Sequence, residues 1–177
     1  QVSDVPRVNE AELGKQEFDR EDYEKAVDYY DQWLIKYPSD AVVLIERGRA
    51  NRLLKKYSEA LEDLDKAIAI NPKDLGPKIY QVNLYVNLNK YKEARAALDV
   101  VMNEEFFEKT GVYEKFMAYY MDGQLKNSEE NYEKAVLSLE EALKLYELYP
   151  HVFRNYKSAG VNRFVIYQRA VAYNGIN

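Results

Sequence analysis

Residues 41–74 read AVVLIERGRANRLLKKYSEALEDLDKAIAINPKD, and this stretch decides the fold. It contains Tyr57-Ser-Glu-Ala60, one of four copies of Tyr-x-x-Ala in the chain. The four copies end at Ala26, Ala60, Ala94 and Ala135. The first three alanines are 34 residues apart, and the fourth follows after 41 residues. Because Pro38 and Pro72 repeat the 34-residue spacing independently, the period predicts a stacked array of similar repeats.

Each repeat has the pattern of two helices. Apolar residues recur at three and four residues, which is the spacing of one helical face. In the quoted stretch we predict one helix over 41–54 and a second that opens at Ser58 and ends before Pro72. Small residues at fixed offsets, such as Gly48 and Ala60, allow two antiparallel helices to approach closely. One such hairpin cannot bury both of its faces, so the repeats must stack.

The chain is therefore interpreted as a single domain over 1–177 with four repeats. They are predicted near residues 7–40, 41–74, 75–115 and 116–150. In the fourth repeat we expect helices over 116–125 and 132–149, with a turn between them. The seven extra residues before this repeat fall within 103–115, and longer helices could absorb them because seven residues make about two helical turns.

The tail, residues 151–177, is helical in pattern but interrupted at Gly160. We predict a helix over 161–173 that packs on the fourth repeat, because the end of a stacked array must cover an apolar face. Its expected contact residues are Val161, Phe164, Val165 and Val171. Two interpretations stay open: the tail is a capping helix, or it is the first helix of a fifth repeat in a longer array.

Composition narrows the classes of function. The formal net charge of −5 argues against a general nucleic-acid binder, because phosphate contacts need a basic field. Absence of cysteine excludes disulfides, thiol catalysis and cysteine-based metal sites, and no stretch reaches the roughly 20 apolar residues of a membrane span. The chain starts at Gln1 rather than Met, which indicates either a cleaved signal peptide or a trimmed chain. The compartment therefore stays open, with an exported, periplasmic location in a bacterium slightly favoured over a cytoplasmic one.

The pattern resembles the tetratricopeptide repeat family over residues 7–149. That family has a small residue, then an alanine twelve residues later, then a large apolar residue four further on. The small residues here are Gly14, Gly48 and Gly123, whereas Val82 departs from the pattern. The resemblance implies an all-α fold, a right-handed superhelical solenoid of antiparallel helix hairpins with a C-terminal helix. In the family, the first helix of each repeat lines the concave groove.

The candidate site follows from this placement of the first helices. Positions fifteen, eleven and eight residues before each Tyr-x-x-Ala alanine differ by four and three, so they share one helical face. We expect residues at these positions to line a peptide-binding groove. The candidates are Lys15, Phe18, Ile45, Arg49, Arg52, Ile79, Asn83, Val86, Tyr120, Gln124 and Asn127. For Tyr120, packing between helices and contact with a ligand are both open.

Lys15, Arg49 and Arg52 make part of this row basic, and no candidate position is acidic. The row is therefore positively charged, although the chain as a whole has a net charge of −5. The row would suit a peptide with an acidic residue or terminal carboxylate beside an apolar residue, since arginine binds carboxylates in a bidentate geometry. The alternative is that the arginines are ordinary surface residues paired with Glu46 or Asp19.

One subclass of the resembled family clamps the terminal carboxylate of chaperone tails with Lys and Asn. The matching positions here are Ala11, Lys15, Glu46, Gly76 and Tyr80. Only one of them is basic and none is Asn, so this ligand class is not expected.

No catalytic or metal site is predicted. His151 is the only histidine, and a zinc site needs more ligands than one histidine supplies. Adjacent acids such as Glu140-Glu141 point about 100° apart on a helix and do not form a catalytic pair. No Gly-rich phosphate loop or nucleophile motif is present, so we expect no cofactor.

The functional expectation is a non-catalytic scaffold that binds a protein or peptide segment in its groove. The alternative is a structural module of a larger chain or complex, joined through the ends of the array. An enzyme-regulating role with the chemistry located elsewhere is a third possibility. We expect a monomer or weak homo-oligomer that binds neither nucleic acid nor metal.

Overall fold

The computed structural model describes residues 9–103, 105, 107–153 and 161–176, with backbone alone at 161, 162 and 164. All regular secondary structure in these residues is helical. The helices are α1 Glu10–Asp19, α2 Tyr23–Lys36, α3 Ala41–Leu53, α4 Tyr57–Ile70, α5 Leu75–Asn87, α6 Tyr91–Asn103, α7 Val112–Ser128, α8 Tyr132–Leu148, α9 Pro150–Phe153 and α10 Val161–Ile176, with a 3₁₀ turn at Phe107–Lys109.

The chain divides into an N-terminal half, residues 1–77, and a C-terminal half, residues 78–177. In the N-terminal half, α1 packs on α2, α2 on α3, and α3 on α4. These contacts follow the predicted period, because the alanines of the four Tyr-x-x-Ala copies are all fully buried. The buried core shared by α2, α3 and α4 consists of Ala26, Tyr30, Leu34, Val43, Leu44 and Ala67.

The connections before helices use ordinary capping. Asn9 accepts a hydrogen bond from the Glu12 amide at 2.9 Å and so caps α1. The Asp40 carboxylate caps α3 by accepting from the amides of Val42 and Val43 at 3.1 and 3.2 Å. The same side chain accepts a 2.9 Å bond from the Trp33 indole, which ties the end of α2 to the start of α3.

The turns inside the four helix pairs share one backbone conformation. Each contains one non-glycine residue in the left-handed region, at φ between 56° and 66°. These residues are Glu21, Lys55, Asn89 and Glu130. In each turn the following amide donates back to the carbonyl five residues earlier, as from Lys56 to Asn51 at 2.8 Å. This pattern is a Schellman motif, which ends a helix and satisfies its last carbonyls.

In the C-terminal half, α7 packs on α6 and α8, and α8 packs on α10. The seven extra residues are divided between the connection 104–111 and a longer α7, which has 17 residues where α5 has 13. The predicted helix over 116–125 was too short at both ends, since α7 runs from Val112 to Ser128. Gly111 occupies the N-cap position, and α7 therefore starts one turn earlier than the repeat pattern suggested.

The tail helix is confirmed. Helix α10 packs on α8 and α7. Val165 is buried in a core with Phe116, Leu139 and Phe153, and Ala172 is buried against Ala135. Val171 is half-buried, whereas the side chains of Val161 and Phe164 lie outside the described residues. Among the residues that the structure places, no helix has the length and apolarity needed to cross a bilayer.

Candidate functional site

The candidate site in the N-terminal half is built on α1 and α3, the first helices of two repeats. We call Lys15, Phe18, Ile45, Arg49 and Arg52 the first-helix surface. Lys15 is exposed and the other four are half-buried. Phe18 and Ile45 pack on the apolar core beneath, and Phe18 meets the ring of Tyr23 edge-on at 5.3 Å. The two apolar residues are therefore held by packing while part of each side chain faces outward.

Arg49 links the two helices of this surface. Its guanidinium carbon lies 5.0 Å from the centre of the Phe18 ring, a cation–π geometry. Its Nη1 donates to both carboxylate oxygens of Glu46 at 2.8 Å. Both side chains are about a quarter exposed, at 28% each. Because Glu46 reaches Arg49, the surface carries an acid that the row of offsets did not include, and its positive charge is smaller than the sequence predicted.

Tyr30 forms the floor under this surface. Its side chain is fully buried in the core of α2, α3 and α4. Burial raises the pKa of its phenol, and the nearby Glu46 carboxylate raises it further. The phenol therefore stays neutral, and the ring packs against Gly14 of α1, where an added Cβ would lie 2.5 Å from it.

The expected residues of the C-terminal half have different environments. Ile79 is buried, so it offers no surface to a ligand and the prediction that it lines a groove is corrected. Asn127 donates to the backbone and side-chain oxygens of Gln168 on α10, at 2.9 and 3.0 Å. Asn83 accepts from Asn87 one turn later at 3.1 Å. Val86 and Gln124 are half-buried.

Tyr120 takes part in packing. Its ring is stacked on Phe116, with centroids 6.4 Å apart and planes 16° apart, and it lies against the core of α7 and α8. Burial raises the pKa of its phenol. Of the two interpretations offered for Tyr120, the packing contact is the one present in the structure.

Two polar seams between helices were not found from the sequence. In the first, Arg47 on α3 donates through Nε and Nη2 to both oxygens of Asp63 on α4, at 2.9 and 2.6 Å, and through Nη1 to Asp31 at 2.5 Å. Hydrogen bonding to Asp63 raises the pKa of Arg47 against the effect of burial. The available sequence signal was an arginine and an aspartate sixteen residues apart, both placed toward the seam by the repeat period.

The second seam surrounds Asp122 on α7. Its carboxylate accepts from Lys126 at 2.5 Å, from Ser138 of α8 at 2.5 Å and from Arg95 of α6 at 2.6 Å. Burial pushes the pKa of Asp122 upward, but the three donors outweigh it and the pKa is lowered. A buried carboxylate with a shifted pKa is a candidate catalytic group. Here every donor is a structural neighbour, so Asp122 holds α6, α7 and α8 together.

In the parts of the chain that the structure describes, no three His, Asp or Glu side chains are placed to hold one metal ion. A cavity of about 450 Å³ lies at the α2–α3 connection, and it is lined by Trp33 and the five residues from Lys36 to Asp40. None of the candidate groove residues borders this cavity.

Comparison with known proteins points to one family. Two family models, both described as tetratricopeptide repeat, match residues 41–74 and 116–147. The mouse sperm-associated antigen 1 is 32% identical over 120 residues, which are 66% of this chain and 12% of that protein. The small glutamine-rich tetratricopeptide repeat-containing protein 2 of Saccharomyces cerevisiae is 25% identical over 142 residues, 80% of this chain and 37% of that protein. The chain therefore spans well under half of either relative.

Solved structures agree on the fold. The type IV pilus biogenesis factor PilW matches with a TM-score of 0.67 and 17% identity, over 94% of this chain and 76% of that one. MamA from Desulfovibrio magneticus RS-1 matches with a TM-score of 0.64 and 20% identity, over 94% and 89%. At such identities the likeness concerns the arrangement of antiparallel helix pairs.

Proposed function

Because this chain belongs to the tetratricopeptide repeat family, we propose that it is a non-catalytic scaffold that holds a segment of a partner protein on its first-helix surface. Proteins with these repeats generally act as scaffolds for protein interactions. The observation that carries the proposal is the cluster of Phe18, Arg49 and Glu46, where an aromatic face and an ion pair lie side by side and are partly exposed.

This cluster favours a segment with an acidic residue next to a large apolar residue. The apolar residue packs on Phe18 and Ile45, where most of the affinity is gained by removing apolar surface from water. The acidic residue replaces Glu46 on the Arg49 guanidinium and is attracted by the exposed Lys15. The charges contribute specificity and association rate more than affinity, and binding should weaken as salt screens them.

The test uses a library of short peptides, each with one acidic residue beside Leu or Phe, and the same library with Lys at the acidic position. The selected acidic peptide should bind the parent protein, and Lys15→Glu should weaken it about fivefold, close to the 1 kcal/mol upper end for an exposed ion pair. Lys66→Glu is the matched control, since Lys66 is an exposed lysine on α4 in the same half. Equal affinity for Lys15→Glu and Lys66→Glu would reject the surface.

A second variant tests whether the carboxylate of the peptide replaces Glu46 at Arg49. Glu46→Gln removes the carboxylate that competes for Arg49 but keeps the shape of the side chain. We expect it to strengthen acidic-peptide binding severalfold while leaving binding of the Lys-substituted library unchanged. Weaker binding of the acidic peptide by Glu46→Gln would contradict the exchange of carboxylates at Arg49.

The alternative function, assembly through the end of the array, has one observation in its favour: α10 exposes Ile166, Tyr167 and Tyr173. Solution size distinguishes the two functions. A mass that stays monomeric over a wide concentration range favours the first-helix surface, whereas self-association that is lost on substitution within α10 favours assembly.

A further inference from the structure

Helix α10 presents an open face to a shallow cavity beside α8. The cavity measures about 360 Å³, and its lining residues are Leu143, Glu147, Ile166, Arg169, Ala170 and Tyr173. The α10 residues in this lining are Ile166, Arg169, Ala170 and Tyr173. Successive members are one or three residues apart, which places all four in one stripe along the helix. Arg169 stacks on the Tyr173 ring at 5.6 Å, and the Tyr173 hydroxyl donates to Glu140 at 3.1 Å. The stripe is thus ordered by contacts of its own residues.

The stripe corresponds to a face that is covered in α3. Val165 and Ala172 are the fully buried residues by which α10 packs on α8, and Val43 and Ala50 are buried at the same seven-residue interval in α3. With these residues aligned, Ile166, Ala170 and Tyr173 correspond to Leu44, Gly48 and Asn51. Leu44 and Asn51 are 2% and 5% exposed, whereas Ile166 and Tyr173 are 52% and 42% exposed.

The helix that covers α3 indicates what would cover α10. Gly48 lies against Ala60, Asp63 and Leu64 of α4. A Cβ at Gly48 would come no closer than 3.3 Å to these neighbours, so an alanine such as Ala170 suits this kind of contact with little adjustment. Helix α4 thus supplies a small residue at the crossing, and a large apolar residue four positions later.

The position of an arginine gives a second correspondence between α10 and α3. Arg169 holds the position in α10 that Arg47 holds in α3, one residue before the small residue at the crossing. Arg47 is bound by both oxygens of Asp63, three residues after Ala60. Among the residues that the structure describes, Arg169 has no carboxylate within ion-pair distance. The face of α10 therefore repeats the arginine of the α3–α4 seam, and Glu147, the acid that also lines the cavity, is not paired with it.

We propose that this face binds an amphipathic α-helix of a partner protein, with a small residue at the crossing, an acidic residue three positions later and a large apolar residue four positions later. The small residue rests on Ala170, the acid pairs with Arg169, and the apolar residue packs toward Ile166 and Tyr173. This site is distinct from the first-helix surface, because it takes a helix on the last described helix of the chain rather than a segment on α1 and α3.

A peptide taken from this chain can serve as the test ligand for the α10 face. A peptide with the sequence of α4, Tyr57–Ile70, carries the required pattern as Ala60, Asp63 and Leu64. A side-chain lactam between the exposed Glu62 and Lys66 keeps it helical, because isolated helices of this length are marginal in water. A fluorescent label on its N-terminus allows titration with the full chain by fluorescence anisotropy.

The parent protein should bind the peptide saturably, and Ala170→Trp should weaken binding at least tenfold by filling the crossing. Arg169→Glu should weaken it at least tenfold as well, and the peptide variant Asp63→Lys should recover the loss only with Arg169→Glu. Arg163→Glu, a charge reversal at an exposed site on the same helix, should have no effect.

Three outcomes would overturn the proposal: no binding by the parent, unchanged binding by Ala170→Trp, or failure of the charge swap to restore binding. Lys15→Glu serves to separate the two proposed sites. It should leave the affinity for the α4 peptide unchanged, and a loss there would place the helix on the first-helix surface instead.

Discussion

The α3–α4 and α7–α8 pairs use the same positions of the repeat for opposite charges. In the α3–α4 pair, Arg47 lies thirteen residues before Ala60, the alanine of the Tyr-x-x-Ala copy, and Asp63 lies three residues after it. In α7–α8 the same two positions hold Asp122 and Ser138. The first seam is an arginine bound by acids from α2 and α4, and the second is an acid bound by donors from α6, α7 and α8.

This difference shows that the period sets where a polar contact lies but leaves its sign free. Two helix pairs of one backbone type thereby become chemically distinct. An α4-type helix placed on α7 would bring Asp63 against Asp122, and two buried carboxylates cannot both stay ionised at low cost. We infer that the seams help to select which helices pair, in addition to holding them together.

The largest expected effect is loss of Asp122. Asp122→Ala removes an acceptor shared by three donors, of which Arg95 keeps Glu129, and should lower the free energy of unfolding by about 3 kcal/mol, near the bottom of the range for breaking a buried ion pair. The value is low in that range because Lys126 and Arg95 keep 24% and 23% exposure and can reach water. Asp63→Ala should cost about 2 kcal/mol, since Arg47 retains Asp31. Urea denaturation of both variants measures the two losses of unfolding free energy and shows which is larger.

The pH dependence of this cost has a definite sign. The folded state lowers the pKa of Asp122 below its ordinary value of 3.8. Its contribution is therefore complete above that value and is lost as the pH falls through the lower folded pKa. The stability gap between parent and Asp122→Ala should narrow in acid, below an ordinary carboxyl pKa. A gap that stays constant down to that range would show that the carboxylate charge is not the source of the stability.

The space around the glycines of α7 and α3 gives a second, smaller difference between the two helix pairs. A Cβ at Gly123 would lie 2.4 Å from Cγ of the buried Leu139, whereas a Cβ at Gly48 would lie 3.3 Å from the nearest atom, the Ala60 carbonyl oxygen. Gly123→Ala should therefore cost about 1–3 kcal/mol by overpacking. Gly48→Ala should change stability by less than about 1 kcal/mol, because the gain in helix propensity offsets the tighter contact. Melting midpoints in the reverse order would contradict the packing described for the two pairs.

The turns provide the smallest effect. Lys55 is held at φ 62°, a conformation that costs a residue with a Cβ about 1 kcal/mol or more. Lys55→Gly should stabilise the protein by about 0.5 kcal/mol after the greater unfolded-state entropy of glycine is included. Asn89→Gly should gain less, since asparagine tolerates this region. Lys66→Gly is the control, at an exposed position inside α4, and should destabilise by about 1 kcal/mol because glycine is a poor helix former.

Much of the fold was predictable because small residues recur with the period. The predicted helix over 41–54 matches α3, the predicted start of the next helix at Ser58 lies one residue inside α4, and all four Tyr-x-x-Ala alanines are buried. The start of α7 at Val112 was missed because the repeat pattern supplies a shorter helix and gives no signal before Phe116. The left-handed conformation within the turns was not predicted, because Glu21, Lys55 and Glu130 are not residues that mark it.

The candidate site was less predictable than the fold, because side-chain partners depend on rotamers and on neighbouring helices. The offsets placed Arg49 on α3, and its pairing with Glu46 was one of the two alternatives raised from the sequence, but its position over Phe18 was not predicted. The same offsets treated Ile79 as surface, although it is buried. Helical position alone therefore identifies a row of residues and leaves the exposed chemistry of that row to be determined by packing.

Amide chemical-shift mapping locates the partner segment, which we propose binds on the first-helix surface. Labelled protein is titrated with the selected acidic peptide, and amide shifts are followed by heteronuclear NMR. We expect shifts concentrated at Lys15, Phe18, Ile45, Arg49 and Arg52, with little change at the outward residues Glu59, Glu62 and Lys66 of α4. Shifts concentrated on α4, or on α10 alone, would contradict this proposal.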